Sequence, residues 1–130
     1  MKQAQSGFSM IELMISLAVI VLIMSFVGPR VMKFFSKGEE AAALNTLRQL
    51  ETSISQYRMD VGHYPQNLEE LVQKPEQVRN WKGPYAESSD LEDRWGQPFV
   101  YHLKPKGSKP AYELYSVGNP DDGKVIALHE

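Results

Sequence analysis

The side chains in this sequence that are suited to acid–base or metal chemistry form no recognisable catalytic or metal-binding arrangement. The three histidines, His63, His102 and His129, lack the close spacing of metal ligands, and we expect each at the surface. The chain has no cysteine, which excludes disulfides, thiolate metal sites and cysteine nucleophiles. No Ser-His-Asp order, phosphate-binding loop or catalytic pair of carboxylates stands out, so we predict that the protein is not an enzyme.

The most unusual charge is Glu12, which lies near the start of an apolar stretch running from Gly7 to Val27. A carboxylate inside an apolar helix is costly unless it finds a partner. Arg30 and Lys33 are about 27 Å or more away along a helix that rises 1.5 Å per residue. We therefore expect the partner to come from another chain. An N-terminal amine at Phe8 of a neighbouring subunit would serve, provided that the leader is removed before Phe8.

The apolar stretch is long enough to cross a membrane. About 20 apolar residues span a hydrocarbon core of about 30 Å, and from Leu13 to Val27 only Ser16 and Ser25 are polar. The main alternative is a secretory signal peptide, which has a basic start and a small-residue cleavage site after its apolar core. Here the leader has a single Lys2, and Val-Gly-Pro-Arg follows the apolar core, so a membrane-spanning segment is favoured.

The start of this stretch resembles a known processing site. The run Gly7-Phe8-Ser9-Met10-Ile11-Glu12-Leu13 is similar to the signal of type IV pilins and type II secretion pseudopilins. The resemblance implies that a prepilin peptidase cuts between Gly7 and Phe8 and that Phe8 is then N-methylated. It also implies that Glu12 is the assembly carboxylate, which pairs with an N-terminus in the growing filament.

Helical patterns continue beyond the apolar stretch. Gly28-Pro29 predicts either a simple kink or a bend or melted segment between about Val21 and Pro29. An amphipathic part then runs from Glu39 to about Val61 and stops at Gly62. Its apolar positions recur at spacings of three and four residues, which predicts a core-facing stripe. The stripe comprises Leu44, Leu47, Leu50, Ile54, Tyr57 and Val61.

Three cations, Arg30, Lys33 and Lys37, follow the apolar segment. Such residues usually mark the cytoplasmic side of a span, whereas the resemblance implies that this side faces outward. Two partners remain open for them: anionic lipid headgroups, or acids on neighbouring subunits.

The rest of the chain predicts a small sheet. Asn67 is expected to cap a short helix reaching Val72, and Trp81 and Tyr85 to pack an irregular loop onto the stripe. Runs of strand-forming residues then predict three strands, the last at an edge. These runs are Phe99–Leu103, Tyr112–Val117 and Val125–Leu128.

The predicted fold class is α+β. A long N-terminal α-helix, with its hydrophobic half protruding and its amphipathic half packed, lies against a small three-stranded antiparallel sheet. The predicted organisation is a prepilin leader (1–7), a transmembrane and filament-core half of the helix (8–35) and a periplasmic globular head (36–130).

A second set of motifs narrows the resemblance to the major pseudopilins of type II secretion. It covers nearly the whole chain in the same order as in that family, in Tyr57–Pro65, Trp81–Tyr85, Asp93–Phe99 and Tyr112–Gly118. The resemblance implies a structural subunit of a helical homopolymer, the pseudopilus, which drives exoprotein export across the outer membrane. The implied partners are further copies of this chain, minor pseudopilins, the prepilin peptidase, an inner-membrane assembly platform and exoprotein substrates. The implied location is the bacterial inner membrane, with a single span and a periplasmic head.

The resemblance also raises calcium as a cofactor, in the loop after the second strand. Calcium prefers six to eight oxygen ligands. The candidate ligands are the carbonyls of Leu114 and Val117, the hydroxyl or carbonyl of Ser116, and the carboxylates of Asp121 and Asp122. The alternative is an Asp-rich turn without an ion, because the loop is shorter than is usual in the family and runs directly into Lys124.

Two other functions are carried as alternatives. One is a type IV pilus or competence pilin subunit, which the missing cysteines and the Tyr-Ser-Val-Gly run disfavour. The other is a membrane-anchored binding or sensor domain, in which the assembly role of Glu12 would have no purpose. With a formal net charge of −2 and no basic block, nothing suggests nucleic-acid binding.

Overall fold

The computed structural model describes residues 7–129. One long helix, α1, comprises Met10–Val61, and three strands follow it: β1 (Val100–Leu103), β2 (Tyr112–Ser116) and β3 (Ile126–Ala127). The chain divides into two compact units between residues 37 and 38.

The first unit consists of the apolar part of α1. Its large apolar side chains are exposed along the whole stretch, and an 18-residue window within α1 is long and apolar enough to cross a membrane. The predicted melting between Val21 and Pro29 is wrong, because this part of the chain is helical throughout. Pro29 removes only the one hydrogen bond that its own N–H would have donated, and the helix continues through that loss.

The second unit is organised around the amphipathic part of α1. The stripe is confirmed: Leu47, Leu50, Ile54 and Tyr57 are buried, and Leu44 and Val61 pack against the same core from partly buried positions. Ala43 is also buried, and its small side chain gave no sequence signal. Phe99, which lies just before β1, Ile126 of β3, and Leu68 and Leu71 complete this core.

The sheet is antiparallel with the order β1-β2-β3, which confirms the α+β class and the edge position of β3. Tyr101 pairs with Leu114 between β1 and β2, and Ser116 pairs with Ile126 between β2 and β3. Each strand is shorter than its predicted run because the terminal residues, such as Val117 and Val125, leave the ladder.

The segment between helix and sheet is held by two short 3-10 helices, Leu68–Leu71 and Ser88–Leu91, of which the second was not predicted. Asn67 caps the first one, as expected, by accepting a hydrogen bond from the Glu70 N–H at 3.2 Å. Trp81 donates from Nε1 to the Glu70 carbonyl at 2.8 Å. Trp81 therefore packs this segment against the core, as the sequence predicts.

Candidate functional site

The N-terminal segment is shaped by a capping box that the sequence analysis missed. The Ser9 Oγ accepts a hydrogen bond from the Glu12 N–H at 3.2 Å, and Glu12 Oε2 accepts one from the Ser9 N–H at 3.3 Å. This reciprocal pair satisfies two of the donors that every helix N-terminus leaves without an intrahelical partner. The sequence pattern that predicts such a box is the Ser-x-x-Glu spacing before an apolar run.

Within residues 7–129, Glu12 has a hydrogen bond but no ion pair. The ion pairs found among residues 7–129 involve Lys104, Lys124 and His129, none of which contacts Glu12. The bond from the Ser9 N–H is long, at 3.3 Å, so it is weak. The positive end of the helix dipole favours a carboxylate at this position, but it supplies only part of a full counter-charge.

The predicted processing site precedes the first turn of α1. Gly7 and Phe8 lie outside regular secondary structure, and the Phe8 side chain is 87% exposed. The peptide bond between them is therefore sterically open. The remainder of the predicted leader, residues 1–6, lies outside the described residues.

The two serines in the apolar stretch are satisfied within their own helix. Ser16 Oγ donates to the Glu12 carbonyl and Ser25 Oγ to the Val21 carbonyl, both at 2.8 Å. A hydroxyl bonded back to the preceding turn loses little on entering an apolar environment. Glu12 is thus the one polar side chain of this stretch whose interactions are incomplete in the monomer.

The predicted metal ligands divide into two groups. Ser116 is fully buried, and its Oγ donates to Asp93 Oδ2 at 2.7 Å while accepting from the Gly118 N–H at 3.0 Å. Asp93 is also buried, and its Oδ1 accepts from the Trp95 and Gln97 N–H groups at 3.0 and 2.9 Å. The Ser116 hydroxyl therefore belongs to a closed internal network that ties β2 to the turn before β1.

The loop after β2 is closed by its own hydrogen bonds. Asn119 Oδ1 accepts from the Asp121 N–H at 2.9 Å, and the Asn119 carbonyl accepts from the Asp122 and Gly123 N–H groups at 3.1 Å. Gly118, with φ of +78°, lies so close to the Lys124 carbonyl that a Cβ there would overlap it. Asp121 and Asp122 are both exposed.

The side-chain oxygens of the candidate ligands do not by themselves complete a calcium shell. Two carboxylates, Asp121 and Asp122, are free to bind an ion, whereas the Ser116 hydroxyl and both Asn119 oxygens already accept N–H groups or donate internally. Within residues 7–129 no group of three or more His, Cys, Asp or Glu side chains is placed to hold a metal. The side-chain donors fall short of the six to eight oxygens that calcium prefers.

Two ion pairs of the second unit lie at its surface beside the sheet. His129 Nε2 lies 3.0 Å from Glu51 Oε1, and Lys104 Nζ lies 3.4 Å from Glu113 Oε1. Both pairs line a groove of about 980 Å³ beside the sheet. His63 and His102 are exposed and lie elsewhere, as predicted. These pairs hold surface elements together and converge on no common point.

Tyrosines of the core are held in their neutral form. Burial raises the pKa of Tyr112 to about 12. Burial likewise raises the pKa of Tyr57, whose hydroxyl donates to Glu70 Oε2 at 2.7 Å. Burial also raises the pKa of Tyr101, whose hydroxyl donates to the Pro65 carbonyl at 2.7 Å. These aromatic contacts are structural.

Comparison with known proteins identifies the family. The sequence profile "Type II secretion system (T2SS), protein G" matches residues 30–125, and the "Prokaryotic N-terminal methylation motif" matches residues 2–28. The chain belongs to the type II secretion system protein G family.

Relatives in this family are similar over most of their length. A type II secretion system core protein G from Pseudomonas aeruginosa is 34% identical, with 95% of this chain and 88% of the relative covered. One from Xanthomonas campestris is 31% identical, with 95% and 83% covered. The crystal structure of the major pseudopilin from the type 2 secretion system of enterohaemorrhagic Escherichia coli superposes with a TM-score of 0.60. That structure is 25% identical, and the match covers 77% of this chain and 94% of the pseudopilin.

These relatives confirm the resemblance to the major pseudopilins. They favour a structural pseudopilus subunit over the type IV pilus or competence pilin. The family is a structural one. The apolar helix and the relatives together indicate a membrane-anchored component of a secretion system.

Proposed function

We propose that this chain polymerises into a periplasmic filament, the pseudopilus, which drives exoproteins across the outer membrane. The proposal rests on one observation: two family models match adjacent parts of this chain. The methylation motif matches residues 2–28, and the protein G family matches residues 30–125. The exposed apolar part of α1 supports it, because a filament or a bilayer must cover so much apolar surface.

Processing prepares the chain for assembly. We propose that a prepilin peptidase cuts between Gly7 and Phe8 and that Phe8 is then N-methylated. The irregular backbone and exposure of this segment support access by such an enzyme. Cleavage places a new amino group on Phe8, one residue before the Ser9 N–H that Glu12 accepts in the uncleaved chain.

Glu12 then acts as the assembly carboxylate. Its hydrogen bond to the Ser9 N–H is long and brings no charge, so a protonated amine from a neighbouring subunit is the stronger partner. An ion pair that is shielded from water between packed apolar helices is much stronger than one in water. Subunit addition therefore supplies Glu12 with the counter-charge that the monomer lacks.

The proposed location is the inner membrane, crossed once, with the head in the periplasm. The further partners are minor pseudopilins, the inner-membrane assembly platform and exoprotein substrates. The missing cysteines make the orientation measurable, because a single cysteine placed at the exposed Ser55 is a unique label. A membrane-impermeant maleimide should label it once the outer membrane is permeabilised. Labelling only after the inner membrane is broken would contradict the orientation.

We propose that the loop Gly118–Lys124 holds its shape without calcium. The engaged oxygens of Ser116 and Asn119 support this proposal over the calcium site that the resemblance implies. Lys124 adds a positive charge at the loop, with its Nζ 3.4 Å from Glu40 Oε1. Both groups of this pair are partly exposed, so its contribution is small.

The whole proposal is tested by complementation. A type II secretion strain that lacks its major pseudopilin should regain exoprotein export when it carries two sets of genes: the gene for this chain, and the genes for the assembly platform that belongs to this chain. Filaments of this chain should be visible by electron microscopy when it is overproduced. Export restored without any polymer of this chain would contradict the filament role.

A further inference from the structure

The first unit carries a basic stripe, defined by Arg30, Lys33 and Lys37, that the filament role does not explain. At 100° per residue the three positions fall within roughly 60° of one another on the helix surface. All three residues are exposed. The stripe begins one residue beyond Pro29, where the apolar stretch ends.

The stripe is unfavourable for the helix that carries it. Like charges three and four residues apart on a helix repel each other, and Lys33 is such a neighbour of both Arg30 and Lys37. None of the ion pairs found among residues 7–129 includes these three cations. Glu40, three residues beyond Lys37, pairs with Lys124 instead. An anionic partner from outside the chain would remove this repulsion.

The position of the stripe indicates which partner that is. Arg30 lies about 27 Å from Glu12 along α1, close to the thickness of a bilayer core of about 30 Å. With Glu12 at one surface, the three cations are at and just beyond the opposite one. The exposed Met32, Phe34 and Phe35 continue the apolar surface between them. Apolar side chains interleaved with long cationic ones suit the boundary between acyl chains and headgroups.

We propose that the basic stripe binds the phosphates of anionic phospholipids while the chain is stored as a monomer in the membrane. This inference rests on the membrane-spanning part of the proposed function. In the monomer no neighbouring subunit is present, so lipid phosphate is the anion at hand. Each cation near an anionic surface contributes roughly fivefold to binding, and salt weakens the effect.

The test uses the full-length chain in nanodiscs of equal phosphatidylcholine and phosphatidylglycerol. The chain is then released from the nanodisc, and native mass spectrometry counts the lipids that stay bound to it. At low salt the unaltered chain should retain phosphatidylglycerol over phosphatidylcholine by about tenfold or more. The variant Arg30→Gln, Lys33→Gln, Lys37→Gln should show almost no preference. Exchanging the cations (Arg30→Lys, Lys33→Arg, Lys37→Arg) should keep it.

A matched control removes three exposed cations from the second unit: Lys74→Gln, Arg79→Gln, Lys82→Gln. This control should prefer phosphatidylglycerol over phosphatidylcholine as strongly as the unaltered chain does. An equal loss in this control would overturn the proposal, because the preference would then follow net charge alone. Circular dichroism should show the same melting of the second unit in every variant.

Filament assembly of the same variants separates this inference from the proposed function. If the stripe variant keeps its lipid preference but fails to assemble, the stripe pairs with acids of a neighbouring subunit and the lipid proposal is wrong. If it loses the preference and still assembles, the stripe acts on the stored monomer, as proposed. An unaltered chain that does not insert into bilayers at all would contradict the membrane span itself.

Discussion

The assembly role of Glu12 makes a prediction that the capping box sharpens. In the monomer Glu12 accepts the Ser9 N–H and so helps to cap α1. Its carboxylate forms no ion pair with any group of residues 7–129. Glutamine serves in a capping box as well as glutamate does. Glu12→Gln therefore keeps the cap and removes only the charge, whereas Ser9→Ala weakens the cap and keeps the charge.

The two effects differ in size. A lost N-terminal cap costs about 1 kcal/mol. Two unit charges about 4 Å apart attract by about 4 kcal/mol at an effective dielectric constant of about 20. Loss of such a pair from each subunit contact lowers the equilibrium constant for subunit addition roughly a thousandfold. Glu12→Gln should thus abolish filaments, and Ser9→Ala should leave them nearly normal.

The assay is the recovery of sheared filaments by centrifugation, with electron microscopy of the pellet. Carbonate extraction should show that both variants still insert into the membrane. Glu12→Ala, which loses both cap and charge, should also insert and fail to assemble. Normal filament yield from Glu12→Gln would refute the charge argument. Equal loss in Ser9→Ala and Glu12→Gln would show that helix capping, and not charge, is what assembly needs.

Four further predictions follow from the other parts of the chain. Gly7→Ala should block removal of the leader, and intact mass should then show the leader retained; normal processing would exclude Gly7 as the cleavage residue. A chelator should leave the melting midpoint of the second unit unchanged. A calcium site filled at a hundred times its dissociation constant would instead add about 2.7 kcal/mol of stability, and its removal would lower the midpoint by roughly 10–20 °C. Gly118→Ala should lower the midpoint much more than Gly123→Ala, because both have positive φ but only a Cβ at 118 meets the Lys124 carbonyl; equal shifts would show that the close approach is unimportant. The free energy of unfolding should be level up to about pH 9 and fall above about pH 10. The reason is that burial raises the pKa of Tyr112 to about 12 in the folded chain, from about 10 in the unfolded one. The stabilisation that Tyr112 contributes is therefore fully present below the unfolded pKa and is lost as the pH rises through the folded pKa.

Local patterns were sufficient for the amphipathic part of α1 and for the three strands. Spacings of three and four residues predicted the buried stripe from Leu47 to Tyr57, and runs of strand formers predicted β1, β2 and the edge strand β3. These signals are readable because burial repeats with the period of each element. The processing motif and the helix cap at Ser9 are equally local, although the cap was overlooked.

What the sequence could not decide are contacts between distant residues. The Ser116 hydroxyl donates to Asp93, 23 residues earlier in the chain, and no local pattern around Ser116 indicates that partner. Tyr57 and Glu70 meet only because the segment after α1 folds back. The physical reason is the same in each case. The partner of a polar group depends on what the folded chain brings near it, and the neighbouring residues in the sequence do not encode that.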